Sequence, residues 1–159
     1  MAALDLENSL AIMVEDLVAD TTSETKTAVV DMAGYDEVEF LVKMGDVDAA
    51  AVLTFTVKEN TADSDSSPTP TAVTLLDELG AGAISSGTLV ITEDSGNLDD
   101  KIIRIGVKAS ALTKRYVFLS ITATVESYEV DSIVAICRGA RNTPITQGST
   151  VAATAWAAK

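Results

Sequence analysis

The stretch from Lys114 to Thr146, KRYVFLSITATVESYEVDSIVAICRGARNTPIT, commits the chain to β structure. Tyr116, Phe118, Ser120, Thr122 and Thr124 fall on one face of an alternating run. Val117, Leu119, Ile121, Ala123 and Val125 fall on the other, which is the two-residue period of a half-buried strand. After a short acidic turn, Val130 to Arg138 is more continuously apolar. Together they read as a long strand pair, followed by a segment with few charges.

The same patterning recurs upstream. KTAVVDM (26–32) and EVEFLVKM (37–44) read as strands around the turn AGYD. In the second, Val38, Phe40 and Val42 share one face, and Glu37, Glu39, Leu41 and Lys43 the other. AVLTFTVKE (51–59) places Leu53, Phe55 and Val57 inward, and TLVIT (88–92) and KIIRIGV (101–107) complete the set. Leu10 to Val18 fits a strand or a brief helix, and Ala72 to Leu79 is ambiguous. About eight strands with frequent turn signals and little helix predict an all-β fold. The expected form is a single-domain β-sandwich, jelly-roll-like, with extended N- and C-terminal arms. The expected divisions are an N-terminal arm and first element over 1–25, a body over 26–138, and a C-terminal arm over 139–159. Within the body, the Ser/Thr/Asp/Pro-rich stretch 60–71 reads as an exposed loop.

Of 159 residues 47% are hydrophobic but only 4% aromatic, so Ala, Val, Leu and Ile must supply the core. Charge is distributed unevenly. Residues 1–100 hold 21 acids and 3 bases, a net of −18, whereas residues 101–159 hold 3 acids and 8 bases, a net of +5. Such asymmetry suits a molecule whose more basic part meets an acidic neighbour, such as a copy of itself. It argues against direct nucleic-acid binding, which needs concentrated Lys and Arg. The N-terminus lacks a basic n-region, and the apolar runs fall short of the roughly 18–20 residues of a membrane helix, so neither secretion nor a membrane partner is expected.

Little in the chain points to catalysis. With no histidine, Ser–His and Cys–His nucleophilic systems and histidine metal sites are excluded. There is no phosphate-binding glycine loop, and no cofactor is expected. The acidic turns around Asp46, Asp63 and Asp94–Asp100 match no EF-hand spacing and read as solvated turns. Cys137, in IVAIC, reads as a buried small hydrophobe. As interface residues the sequence offers Tyr116 at the head of its strand, Arg138 and Arg141 where the chain leaves the sheet, and Trp156 in a small-residue tail.

At GYDEVEFLVKMGDVDAAAVLTFTVKE and again at KRYVFLSITATVESYEVDSIVAICRGARNTPIT, the chain resembles small structural proteins of tailed-phage and prophage head-gene clusters. The resemblance rests on Arg115-Tyr116-Val117 and on the closing run Ala140-Arg141-Asn142-Thr143-Pro144, and adds Pro144 to the interface set. It implies a capsid decoration or cement protein on the virion surface, made in the bacterial host cytoplasm. The implied partners are the major capsid protein and the chain itself, most simply as a homotrimer. Two other readings stay open: another virion part, such as a tail-tube, head-completion or fibre-associated protein, and a non-viral β-sandwich binding module.

Overall fold

The computed structural model describes residues 9–66, 69–73, 83–85, 87–94 and 96–140. In chain order the strands are β1 (Leu10–Glu15), β2 (Val18–Thr21), β3 (Thr25–Lys26), β4 (Val30–Asp31), β5 (Glu37–Val47), β6 (Val52–Asn60), β7 (Thr71–Ala72), β8 (Ala83–Ser85), β9 (Thr88–Thr92), β10 (Ile102–Lys108), β11 (Tyr116–Thr124) and β12 (Tyr128–Arg138). They form two antiparallel sheets. One has the order β1-β12-β5-β10, with β2 continuing β1 along β12. The other has the order β3-β11-β6-β9-β8, with β4 continuing β3 along β11 and β7 pairing with β6. Taking β1/β2 and β3/β4 as broken single strands and setting the short β7 and β8 aside, the two orders are the eight-strand interleaving of a jelly-roll β-sandwich.

The apolar faces close on one core. Val38, Phe40, Val42 and Met44 of β5 are buried against Leu53, Phe55 and Val57 of β6 and Val117, Leu119 and Ile121 of β11. Burying each such side chain contributes about 1.5–3 kcal/mol. The alternation expected for residues 37–44 and 51–59 is the one observed. On β11 the outward side is also partly covered: Phe118 is fully buried and Ser120 nearly so, with Ser120 Oγ donating to Glu24 Oε1.

β11 and β12 are the expected long strands, but they do not pair with each other. β11 lies between β3/β4 and β6, and β12 lies in the other sheet between β1/β2 and β5. The turn between them crosses from sheet to sheet, because each strand has an apolar side and the two sides are buried facing one another. Tyr128 fixes this crossing. Its fully buried ring carries a hydroxyl that donates toward Thr25 Oγ1 at 2.8 Å and the carbonyls of Ser23 and Ile121 lie within 3.1 Å.

Leu10–Val18 resolves into β1 and the start of β2, held on the edge of β12, so the first element belongs to the sandwich itself. The boundary expected at residue 26 falls inside β3. The expected loop 60–71 begins at buried Asn60, whose side chain accepts from the Thr61 amide and donates to the Ser64 carbonyl. It returns as β7 against β6. Residues 1–8, 67–68, 74–82, 86, 95 and 141–159 lie outside the described residues.

Val125, expected at the end of the alternating strand, stands in the crossing turn with φ 84° and 76% of its surface exposed. A β-branched residue pays for left-handed backbone with a Cβ clash, and here it gains no burial in return. Val125→Asn is therefore expected to raise unfolding stability by about 1 kcal/mol, read from urea denaturation. Unchanged or lowered stability would contradict the strain.

Candidate assembly surface

The registers set β12, β5 and β10 abreast, and their ends define one end of the sandwich. There Arg138 stands opposite Glu37, and Glu37 opposite Lys108. One row inward lie Ile136, Glu39 and Gly106, with Ala11 beyond them on β1. The next row is Met13, Val134, Leu41 and Arg104.

Glu39 is the electrostatic centre of this face. It is only 7% exposed, and Arg104 binds its Oε1 from one flank. Arg138 Nη2 approaches Oε2 from the other at 2.6 Å, a close ionic contact rather than an aligned hydrogen bond. Burial alone would raise the carboxyl pKa, but the two guanidiniums outweigh it and hold Glu39 below its ordinary value. Beyond Arg138 the chain turns at Gly139, with φ 68°. A Cβ there would lie 2.7 Å from Asp36, so only glycine fits this exit.

The second sheet contributes the start of β11 to the same end. Tyr116 is half-buried, and the Arg115 guanidinium lies 5.1 Å from its ring centroid. Arg115 also grips Asp31 of β4 with two parallel hydrogen bonds, which hold the Asp31 carboxyl below its ordinary value. Beside them Glu59, at the end of β6, accepts from the Thr113 amide at 2.7 Å and the Lys114 amide at 3.1 Å. The Thr113 hydroxyl donates to its other oxygen. Burial would raise this carboxyl too, and these donors reverse the shift.

The opposite end is strongly acidic. Asp46, Asp48, Asp94, Asp99, Asp100, Glu126, Glu129 and Asp131 gather on its turns and strand ends, with Lys43 and Lys101 the cations among them. Lys43 bridges Asp100 at 2.8 Å and Asp131 at 3.2 Å. Glu93, buried below, accepts from the amides of Gly96, Asn97 and Leu98 and so shapes the turn. Among the described residues, no group of three or more His, Cys, Asp or Glu is arranged to hold a metal ion.

The two outer sheet faces also differ. On the second sheet, Thr54, Thr56, Lys58, Ser120 and Thr122 point away from the core, together with Val90 and the fully buried Phe118. On the first sheet, the outward positions include Met13, Leu41, Val134 and Ile136, with Ile102 nearby at 63% exposed. Polar outward residues are what a solvated antiparallel sheet requires, and this face departs from that rule.

Of the interface residues expected from the sequence, Tyr116 and Arg138 lie at the same end of the sandwich but on different sheets. Arg141, Pro144 and Trp156 lie outside the described residues. Cys137 is buried and its thiol is pushed up to about 12, chiefly by desolvation. Sequence reasoning missed Glu39, Arg104 and the apolar rows. Their signal was present in Leu41, the apolar member of an otherwise charged face.

The lowered carboxyls of Glu39 and Glu59 contribute to the pH response. Below the ordinary value of 4.5 the unfolded chain binds protons that the folded chain still excludes. Their stabilisation is thus complete above that pH and is lost as pH falls through the lower folded values. Glu59→Gln is expected to cost about 1–3 kcal/mol at pH 7 and to shrink the loss between pH 7 and pH 3.5, both measured by urea unfolding. An identical acid response in wild type and variant would contradict this.

No family model matches the chain, and no curated protein matches it. Among solved structures it is similar to that of Eiger TNF from S. frugiperda, with 12% identity and a TM-score of 0.34 over 89% of this chain and 92% of that one.

Proposed function

We propose that this chain is a structural virion protein, a decoration or cement protein that binds the outer surface of a tailed-phage head. In this reading it acts as a homo-oligomer, most simply a trimer, packed through the outward face of the β1-β12-β5-β10 sheet. The observation that carries the proposal is that face. Met13, Val134 and Leu41 form an apolar row on the outward side of this sheet, where a solvated antiparallel sheet alternates to polar residues. The resemblance in the 26–59 and 101–146 regions supplies the phage context.

The mechanism follows from the distribution of groups. The acidic end makes like-charged contacts between copies unfavourable there, and so favours contact through the face and the charge-balanced end. Arg104 and Arg138 are already matched by Glu39 and Glu37, so this face meets another subunit without stranding a charge. On a lattice, many such modest contacts add through avidity.

The test combines capsid binding with a face variant. Purified chain is expected to co-sediment with expanded phage heads and raise their resistance to heat. Val134→Lys is expected to weaken self-association by at least ~10-fold while leaving the circular dichroism spectrum intact. A chain that neither binds heads nor alters their heat resistance would end the decoration reading. Unchanged association in Val134→Lys would remove the face from it.

A further inference from the structure

The edges of the two sheets are not alike. β3, β4 and β7 have two residues each, β8 three and β2 four, and β1 is irregular between Met13 and Glu15. β10 is seven residues long and pairs with β5 from Ile102 to Lys108 without a register shift. Among the described residues, β5 is its only sheet neighbour.

The direction of its backbone groups follows from its two ends. The Lys101 carbonyl accepts from Met44, and the Ala109 amide donates to Asp36, both toward β5. In a regular antiparallel strand the intervening residues alternate. Ile103, Ile105 and Val107 therefore bond to β5, and Ile102, Arg104, Gly106 and Lys108 send their amides and carbonyls outward. A long, regular edge of this kind is a template for another strand.

We propose that the β10 edge pairs antiparallel with the β10 edge of a second copy about a two-fold axis at Ile105, joining the two sheets into one. The sequence IIRIGVK is complementary to itself in this register and no neighbouring one. Gly106 falls opposite the partner's Arg104, leaving room for the guanidinium, and Ile102 falls opposite the partner's Lys108. Sliding the strands by one pair either way would set Arg104 against its own copy or against Lys108. Charge does not oppose the chosen register: Arg104 is engaged by Glu39, and Lys108 stands opposite Glu37 of β5. The inward residues Ile103, Ile105 and Val107 meet Val107, Ile105 and Ile103 of the other copy, so the apolar core layer continues across the joint. The pairing needs no capsid and stands whether or not the chain decorates one.

Cross-linking tests the register. In the double variant Ile102→Cys/Lys108→Cys, the opposed residues of two copies are about 5.5 Å apart between Cα atoms, within disulfide reach. Within one chain they lie roughly 20 Å apart along the strand, which forbids an internal bridge. Mild oxidation is expected to convert the double variant to covalent dimer and to leave Ile102→Cys alone unlinked. Cys137 is buried and does not compete. Gly106→Lys supplies the converse. A Cβ at Gly106 meets only the Val38 carbonyl at 4.0 Å, so the variant keeps its fold. Its added charge opposite the partner's Arg104 is expected to abolish cross-linking when placed in the double-Cys background. Failure of the double-Cys chain to form dimer would overturn the proposal. So would cross-linking that survives Gly106→Lys, or that is lost in Val134→Lys and not in Gly106→Lys.

Discussion

The sandwich is held shut between β11 and β12. Val117, Leu119 and Ile121 project from the middle of one sheet, and Ile133, Ala135 and Cys137 from the middle of the other, all fully buried in one core. Because the two strands follow one another in the chain but lie in opposite sheets, a three-residue crossing spans the sandwich. Tyr128 anchors it through Thr25 and the Ser23 and Ile121 carbonyls. β5 and β6 repeat the arrangement on the other side of each central strand. Every other part of the molecule, including both ends and the outer faces, is positioned by this interleaving.

The interleaving also converts a sequence asymmetry into a spatial one. The acids of the first hundred residues and the bases of the remainder do not separate by sheet. The turns at 48–51, 93–101 and 125–127 all fall at one end and are rich in acids. Lys108, Arg115 and Arg138 fall at the other, each beside a carboxylate. Buried carboxylates act as fasteners rather than reactive groups: Glu59 and Glu93 gather amides of neighbouring turns, and Glu39 draws two arginines flat over its sheet.

How far the sequence alone reached can be read residue by residue. Phe55 announced its inward direction by period two, and the shared faces of Val38, Phe40 and Val42 and of Val117, Leu119 and Ile121 are the buried ones. What period two does not carry is partner choice. A pair of long strands around a short acidic turn looks the same as a hairpin or as a sheet-to-sheet crossing, and only the packing of both apolar sides separates them. Charge pairing was equally hidden. Glu39 and Arg104 are 65 positions apart, and Asp31 and Arg115 are 84 apart, so no local pattern joins them. Of the candidate contact residues, Tyr116 and Arg138 were placed by strand ends that the sequence does mark.

The apolar outward rows, and a β10 edge that only β5 flanks among the described residues, motivate the proposal that the working surfaces are those that meet other subunits. Sedimentation velocity of the purified chain across a wide dilution series examines that view at its root. It predicts species heavier than the 16.6 kDa chain that dissociate on dilution. A single 16.6 kDa species at every concentration would contradict it.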